Sequence, residues 1–465
     1  MKPLFFASSS CADIMLAASK SLFLTFPMLV IMAVASPLHA QDSGSGDTQT
    51  SQPVPPTQPA GPTAADSSLM GRDTLTGDWY GLRSQLAAKG FTPSLIYEAE
   101  VFGNWGGARQ GAISDGLFTP ALDIDLEKAT GFWKDAAFHV NAYETYGPAL
   151  SEHYVGDFSN TSNISGYNTF RLQELWLQQN FWQKRASIRA GLLGADSEFF
   201  AAQASSIFIN STFGAFDLFV PNFTDAPAFP VANPAIRLDA APVPAFDFKA
   251  AVFGMSASSD QDGNDRHGTY FDIDDGAMLA FEGAFLLNQG PDDHGLAGSY
   301  KIGGFIHRGD YKTWHSQAEA ALGRGPLSGN GTNYAVYGVI DQVLFKNGDR
   351  TIEIFGRGGV APSRYSFVDA YFDTGFNFTG FIPSRAGDTA GVAIARAAVS
   401  GDFSDAQQLE GNPPSTAETV IEATYKIGLS KWWNIQPDLQ YIVNPSGVVG
   451  SRNAFVLGVR TTITF

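Results

Sequence analysis

Between residue 91 and Phe465, apolar and polar positions alternate with a period of two, in runs of strand length. In "PSLIYEAEVF" Leu95, Tyr97, Ala99 and Val101 oppose Glu98 and Glu100. In "ALDIDLE" Leu122, Ile124 and Leu126 oppose Asp123, Asp125 and Glu127, and in "AAFHVNAY" Phe138, Val140 and Ala142 oppose His139 and Asn141. Near the end Ile421, Ala423 and Tyr425 oppose Glu422, Thr424 and Lys426. Sixteen such segments can be marked: 93–102, 120–127, 136–144, 172–181, 186–193, 236–241, 247–256, 277–287, 298–307, 333–345, 351–360, 368–379, 389–399, 418–428, 434–443 and 455–465. The sixth has the weakest pattern. Alternation alone suits a water-soluble sandwich, polar face outward, as well as a membrane barrel, polar face toward a wet lumen.

Connection lengths separate the two. Every second connection is short, as in 183–185, "PVPAF" (242–246), "KNGDR" (346–350) and "SKWW" (430–433), and Asn347-Gly348 is a strong hairpin signal. Most of the others are long: 145–171, 194–235, 257–276, 308–332 and 400–417. An even strand number with tight turns on one side and long loops on the other predicts an all-β transmembrane antiparallel β-barrel of outer-membrane type. Short turns carry aromatics beside a base, as in Phe132-Trp133-Lys134 and Lys431-Trp432-Trp433, which suits an interfacial girdle. A closed barrel has no free edge, so a last strand running to Phe465 is expected to pair with the first.

Ahead of the barrel, residues 1–40 have the form of a signal peptide. Lys2 and Lys20 precede the apolar "LFLTFPMLVIMAVA", and "SPLHA" ends at Ala40. Residues 41–73, rich in Pro, Ser, Thr, Gln and Gly, predict a disordered linker. Within 74–90, Trp79, Leu82 and Leu86 fall on one face of a short amphipathic helix, with Thr76 or Asp78 as its cap and Gly90 as its stop. The barrel domain is then 91–465. The lone Cys11 lies in the signal, so disulfides, thiolate chemistry and cysteine metal sites are excluded beyond it. The whole chain carries 29 bases and 46 acids, a net charge of −17. Without the two lysines and one aspartate of the signal, 27 bases face 45 acids, a net of −18. A nucleic-acid-binding protein needs the opposite sign.

"LTGDWYGLRSQLAAKGFTPSLIYEAEVFGN" (75–104) resembles the amino-terminal signature of the carbohydrate-selective, OprB-like porins. The likeness continues in "IRAGLLGADSEFFAAQASSIFINSTFG" (188–214), "PVANPAIRL" (230–238), "FDTGFNFTGFIPSRAGDTAGVAIA" (372–395) and "IEATYKIGLSKWWNIQPDLQYIVNPSG" (421–447). Tyr80 stands where that family usually has Gly, and Leu193 where it favours Lys. The resemblance implies a sixteen-stranded outer-membrane channel for monosaccharides or polyols, with a helix near the periplasmic entrance and loops folded inward. It implies no cofactor. A terminal Phe465 resembles the signal read by barrel-assembly machinery. Lipopolysaccharide is an expected neighbour, and both homotrimer and monomer stay open.

A sugar channel must bind weakly enough to release its solute. By parity and position the candidate lumen contacts are Glu98, Glu100, Trp176, Arg189, Arg237, Arg357 and Asp373. Trp176 is an aromatic on the polar parity, between Glu174 and Gln178, where it must stack on something or fill space. The 194–235 connection is rich in Phe, Ala and Pro. It is expected either to fold into the lumen as a constriction or to cap the mouth from outside. "DQDGNDRHGTYFDIDDG" (260–276) holds six aspartates but lacks the EF-hand spacing and closing Glu, so a solvated acidic loop is expected and no metal. GxSxG, HExxH and P-loop motifs are absent, and no enzyme is expected. A general diffusion porin is the alternative within the class. A barrel enzyme using His139 or His307 and an adhesive barrel are the alternatives outside it.

Overall fold

The computed structural model describes residues 68–223, 226–255, 265–269, 271, 273, 275–290, 293–329 and 331–465. The expected signal and all but the last six residues of the expected linker lie outside these. Sixteen strands form one closed antiparallel barrel in which each pairs with its chain neighbours. They are β1 (Phe91–Gly106), β2 (Gly111–Asp125), β3 (Ala136–Tyr146), β4 (Thr169–Phe181), β5 (Ala186–Leu193), β6 (Asn233–Val243), β7 (Phe246–Gly254) and β8 (Ala277–Leu287). The second half is β9 (Gly298–Tyr311), β10 (Gly331–Asn347), β11 (Arg350–Val360), β12 (Val368–Thr379), β13 (Thr389–Val399), β14 (Ala417–Ser430), β15 (Trp433–Val443) and β16 (Ala454–Thr464). β1 closes on β16, placing Tyr97 opposite Ile463 and Glu100 opposite Arg460.

Each marked segment coincides with a strand, the weak sixth included. The parity holds as well. Val101, Trp105, Ile236, Phe248, Phe281, Ile302 and Phe372 are exposed on the outside, whereas Glu100, Glu282, Asp373, Glu422 and Arg460 are buried on the inside. Alternate burial of this kind leaves hydrocarbon in contact with every second residue only.

Three local expectations need correcting. β2 begins at Gly111 rather than near 120, so the β1–β2 connection is only residues 107–110. Gly111, Ser114, Asp115 and Gly116 hide the alternation there, because glycine has no side chain to place on either face. The other end of β2 stops at Asp125, and Leu126–Thr130 is a helical turn, α1, instead of more strand. Asp125 caps it by accepting from the Lys128 amide at 3.1 Å. Nor is the amino-terminal helix the expected single piece. A 3-10 turn, Trp79–Gly81, precedes α2 (Leu82–Ala88), and the buried residue of α2 is Arg83 rather than its apolar stripe.

Two long outer connections contain helices, α3 (Trp314–Ala321) and α4 (Gly401–Leu409), capped by Thr313 and Ser400. They pack together through Trp314 and Phe403, whose rings lie 4.9 Å apart. β5 is the shortest strand, eight residues long. The chain leaves the wall after Leu193, aided by Gly191 at φ +148°, where a Cβ would lie 2.0 Å from the Leu175 carbonyl oxygen.

Arg83 ties the amino-terminal segment to the closing strand. Its guanidinium donates to Thr74 Oγ1 at 2.5 Å and to the Phe465 main-chain oxygen at 2.9 Å, and it lies 4.5 Å from the Trp79 ring. Close by, the Leu75 amide donates to the Thr464 carbonyl at 2.9 Å. Arg83→Ala should cost about 1–3 kcal/mol. The loss should appear as a lower temperature for conversion from the fast-migrating folded form to the slow unfolded form in unboiled electrophoresis, with Arg83→Lys intermediate.

Candidate functional site

Residues 194–223 and 226–232, between β5 and β6, run inside the barrel. Phe199, Phe200, Phe208, Phe213, Phe216, Phe219 and Phe223 are each at most 2% exposed. Their rings meet Phe253 of β7, Phe305 of β9, Tyr337 of β10, Phe355 of β11 and Tyr371 of β12. Burial of each ring supplies roughly 2 kcal/mol. Of the two expectations for this connection, the inward path is the one observed.

Hydrophobic packing leaves the loop's main-chain groups to be satisfied away from water. Wall carboxylates take the amides. Glu282 of β8 accepts from Phe200 at 2.8 Å, and Asp341 of β10 accepts from Gln203 and Ala204 at 3.0 Å each. Glu422 of β14 accepts from Ile209 at 2.6 Å and Asn210 at 3.0 Å. Wall donors take the carbonyls. Lys301 reaches Ala201 at 2.8 Å, Asn377 reaches Ala204 at 2.6 Å and Gln436 reaches Ile207 at 2.7 Å. A second loop, 147–168, is held in the same manner, with Glu418 accepting from the Ser159 amide at 2.8 Å.

The candidate residues divide into two groups around this loop. Four are covered. Arg357 of β11 and Asp373 of β12 are paired at 2.5 and 3.0 Å with no side-chain exposure, and Arg357 also donates to the Thr212 and Gly214 carbonyls at 2.8 Å. Arg237 of β6 is buried against Glu198 at 3.1 Å and Ser187 at 2.7 Å. Glu100 is buried in an ion pair with Arg460, which continues to Asn163 of the second loop at 2.6 Å. The other three, Glu98, Trp176 and Arg189, stay partly exposed. Glu98 keeps 21% of its side chain exposed and Arg189 19%. Trp176 lies between His139, stacked at 5.0 Å and 18°, and the Arg189 guanidinium, 3.8 Å from its ring centroid.

Glu282 and Asp341 were not among the candidates. The signal was present for Glu282, a lone acid between Ala280 and Ala284 on the inward parity of a strand whose inward residues are otherwise apolar. His139 is engaged with Asp123 at 2.7 Å, and buried His307 with the Tyr311 hydroxyl at 2.7 Å and the Asp275 carbonyl at 2.8 Å. Among the described residues no group of three or more His, Cys, Asp or Glu is placed to hold a metal ion. In the acidic 260–276 connection Asp265 pairs with Arg171 at 3.2 Å, while Asp260, Asp262, Asp272 and Asp274 lie outside the described residues.

Within the loop, burial pushes the Asp217 carboxyl up to about 6 against the pull of Ser159 and Thr212, and pushes Asp196 up to about 6 against the Phe229 amide. Burial works the same way on Glu198, but Arg189, Arg237 and Lys249 outweigh it and hold that carboxyl below its ordinary value.

Residues 109–465 match the model of the family described as "Carbohydrate-selective porin, OprB family". The chain belongs to this family. It is similar to Porin B of Pseudomonas aeruginosa, 26% identical over 438 residues that span 86% of this chain and 93% of that one. It is also similar to the putative porin QuiX of Acinetobacter baylyi, 22% identical over 423 residues, 85% of this chain and 93% of the other. The high-pH structure of Pseudomonas putida OprB superposes with a TM-score of 0.77 at 25% identity, covering 85% of this chain and 99% of that one. Family and fold together make this protein a bacterial outer-membrane porin and point to a channel rather than an enzyme.

Two outcomes follow from the loop anchors. Asp373→Ala strands a buried guanidinium and should destabilise the barrel by about 3–5 kcal/mol, whereas the double replacement Arg357→Met with Asp373→Leu should cost less; thermal unfolding of the three proteins decides this. For pH, Asp217 has a raised folded-state pKa, so loop packing gains stability as pH falls through about 6 and loses it as pH rises through that value. Amide exchange at 212–217, corrected for its intrinsic rate, should be slower at pH 5 than at pH 8, and Asp217→Asn should remove the difference.

Proposed function

We propose that this porin passes monosaccharides or polyols by diffusion down their gradient, at an aperture between the edge of the 194–232 loop and the β1–β5 wall. The observation that carries the proposal is the polarity of the two sides. Glu98, Asp123, Glu174, Gln178 and Arg189 lie on the wall, none of them fully buried, and Ser197, Gln203 and Ser206 are exposed polar residues of the loop. A neutral solute rich in hydroxyls can trade its water hydrogen bonds for these donors and acceptors one at a time, which permits entry without trapping. An apolar solute gains nothing there, and an ion meets both signs of charge.

The chain's journey to the membrane belongs to the same proposal. Residues 1–40 direct export and are removed after Ala40, 41–73 act as a linker, and β16 is the strand offered to the assembly machinery. Lipopolysaccharide then surrounds the outer half of the barrel.

Single-channel conductance in a planar bilayer, titrated with glucose and with a non-sugar of similar size, tests the proposal. Saturable block by glucose alone is the expected result. Equal, bulk-proportional reduction by both solutes would make the protein a general diffusion porin, and a folded protein without openings would end the channel assignment.

A further inference from the structure

An aromatic ring serves as a sugar platform only if one of its faces is free to meet the solute's C–H groups. Trp176 has no such face to offer. His139, its direct cross-strand partner on β3, stacks on the indole with ring centroids 5.0 Å apart and planes 18° from parallel. From the neighbouring strand on the other side, the Arg189 guanidinium carbon approaches to 3.8 Å from the ring centroid. The sandwich is itself held in place. Asp123 fixes His139 through Nδ1 at 2.7 Å, and the indole N–H donates to Glu174 at 3.2 Å.

Arg189 has the longest side chain in this row, and the other members restrain it. Its Nε donates to Gln178 at 2.9 Å and its Nη1 pairs with Glu198 of the constriction loop. The indole supplies a flat surface 3.8 Å from the guanidinium carbon, so the side chain is ordered before any solute arrives. An arginine fork bonds two acceptors in one plane, and ordering it in advance spares the entropy that binding would otherwise lose. A neutral sugar presents adjacent hydroxyls that fit such a fork.

Given a sugar channel, we propose that Trp176 is a positioning residue: it holds Arg189 in the aperture, and the guanidinium, not the indole, meets the sugar. The wall then discriminates by hydrogen-bond geometry rather than by stacking. A guanidinium–indole contact of this type is equivalent to about a three- to thirtyfold change in an equilibrium constant.

A double-mutant cycle in the bilayer tests the assignment, using full-length protein whose folded state is verified by unboiled electrophoretic migration. Trp176→Ala and Arg189→Ala should each raise the half-blocking glucose concentration by about three- to thirtyfold, and the double variant should be no weaker than Arg189→Ala alone. Trp176→Phe, which keeps a flat face, should restore most of the block. Sugar-free ion conductance is recorded for every variant, and a near-complete loss of it in Trp176→Ala would mean a general collapse of the aperture and would overturn the inference. Independent losses that multiply in the double variant would mean that the indole touches the sugar itself and would overturn the inference. So would an unchanged block in Trp176→Ala beside a weakened one in Arg189→Ala. Wild-type channels that glucose does not block would remove the sugar-channel function itself, which is a separate result.

Discussion

Main-chain amides cannot be left dry and unpaired, and some forty residues of this chain pass through the inside of a barrel. That constraint organises the molecule. Seven phenylalanines fasten the 194–232 loop to the wall, but fastening them removes water from the peptide groups between them. Glu282, Asp341 and Glu422 receive the loop's N–H groups, and Lys301, Asn377, Gln436 and Arg357 receive its carbonyls. The excess of acids over bases in the composition has a local use here: several of the inward carboxylates are acceptors for loop amides rather than free lumen charges. Without them the loop would be an apolar coil with no defined height in the lumen.

The result is a lumen with two unlike sides. From β7 to β12 the inner wall is hidden beneath the loop, and its residues belong to the packing of the interior. On β1 to β5, Glu98, Asp123, Glu174, Gln178 and Arg189 keep part of their surface, while Glu100 is buried against Arg460. A charged residue on the inward parity therefore has one of two unrelated duties according to which side it stands on. Arg357 and Asp373 neutralise each other under the loop, whereas Arg189 spans the boundary, with one hand on the loop's Glu198 and its face on Trp176.

Strand positions and parity were legible because hydrocarbon imposes them locally, one residue in two. β2 was under-read where Gly111 and Gly116 carry no side chain to show a face, and Leu126 was assigned to a strand because a single helical turn is shorter than the pattern that would reveal it. Parity also placed Arg357 and Asp373 inside correctly. It could not say that they would be covered, since their partners Thr212 and Gly214 lie some 145 residues away and meet them only through the loop's path. Trp176 stood out as an aromatic on a polar face. Its neighbours depend on strand register, and a pattern of alternation does not set register.

Seven of the loop's anchors share one further property. Glu282, Lys301, Asp341, Arg357, Asn377, Glu422 and Gln436 all come later in the chain than the loop they hold. Strands β1 to β5 can be laid down without any of them, and these seven can hold the loop only once β8 to β15 are present. Narrowing of the channel is thus tied to the end of chain assembly. The same lateness means that the loop cannot be caught halfway, because its first anchor and its last are separated by half the barrel's circumference and both are needed before its path is defined.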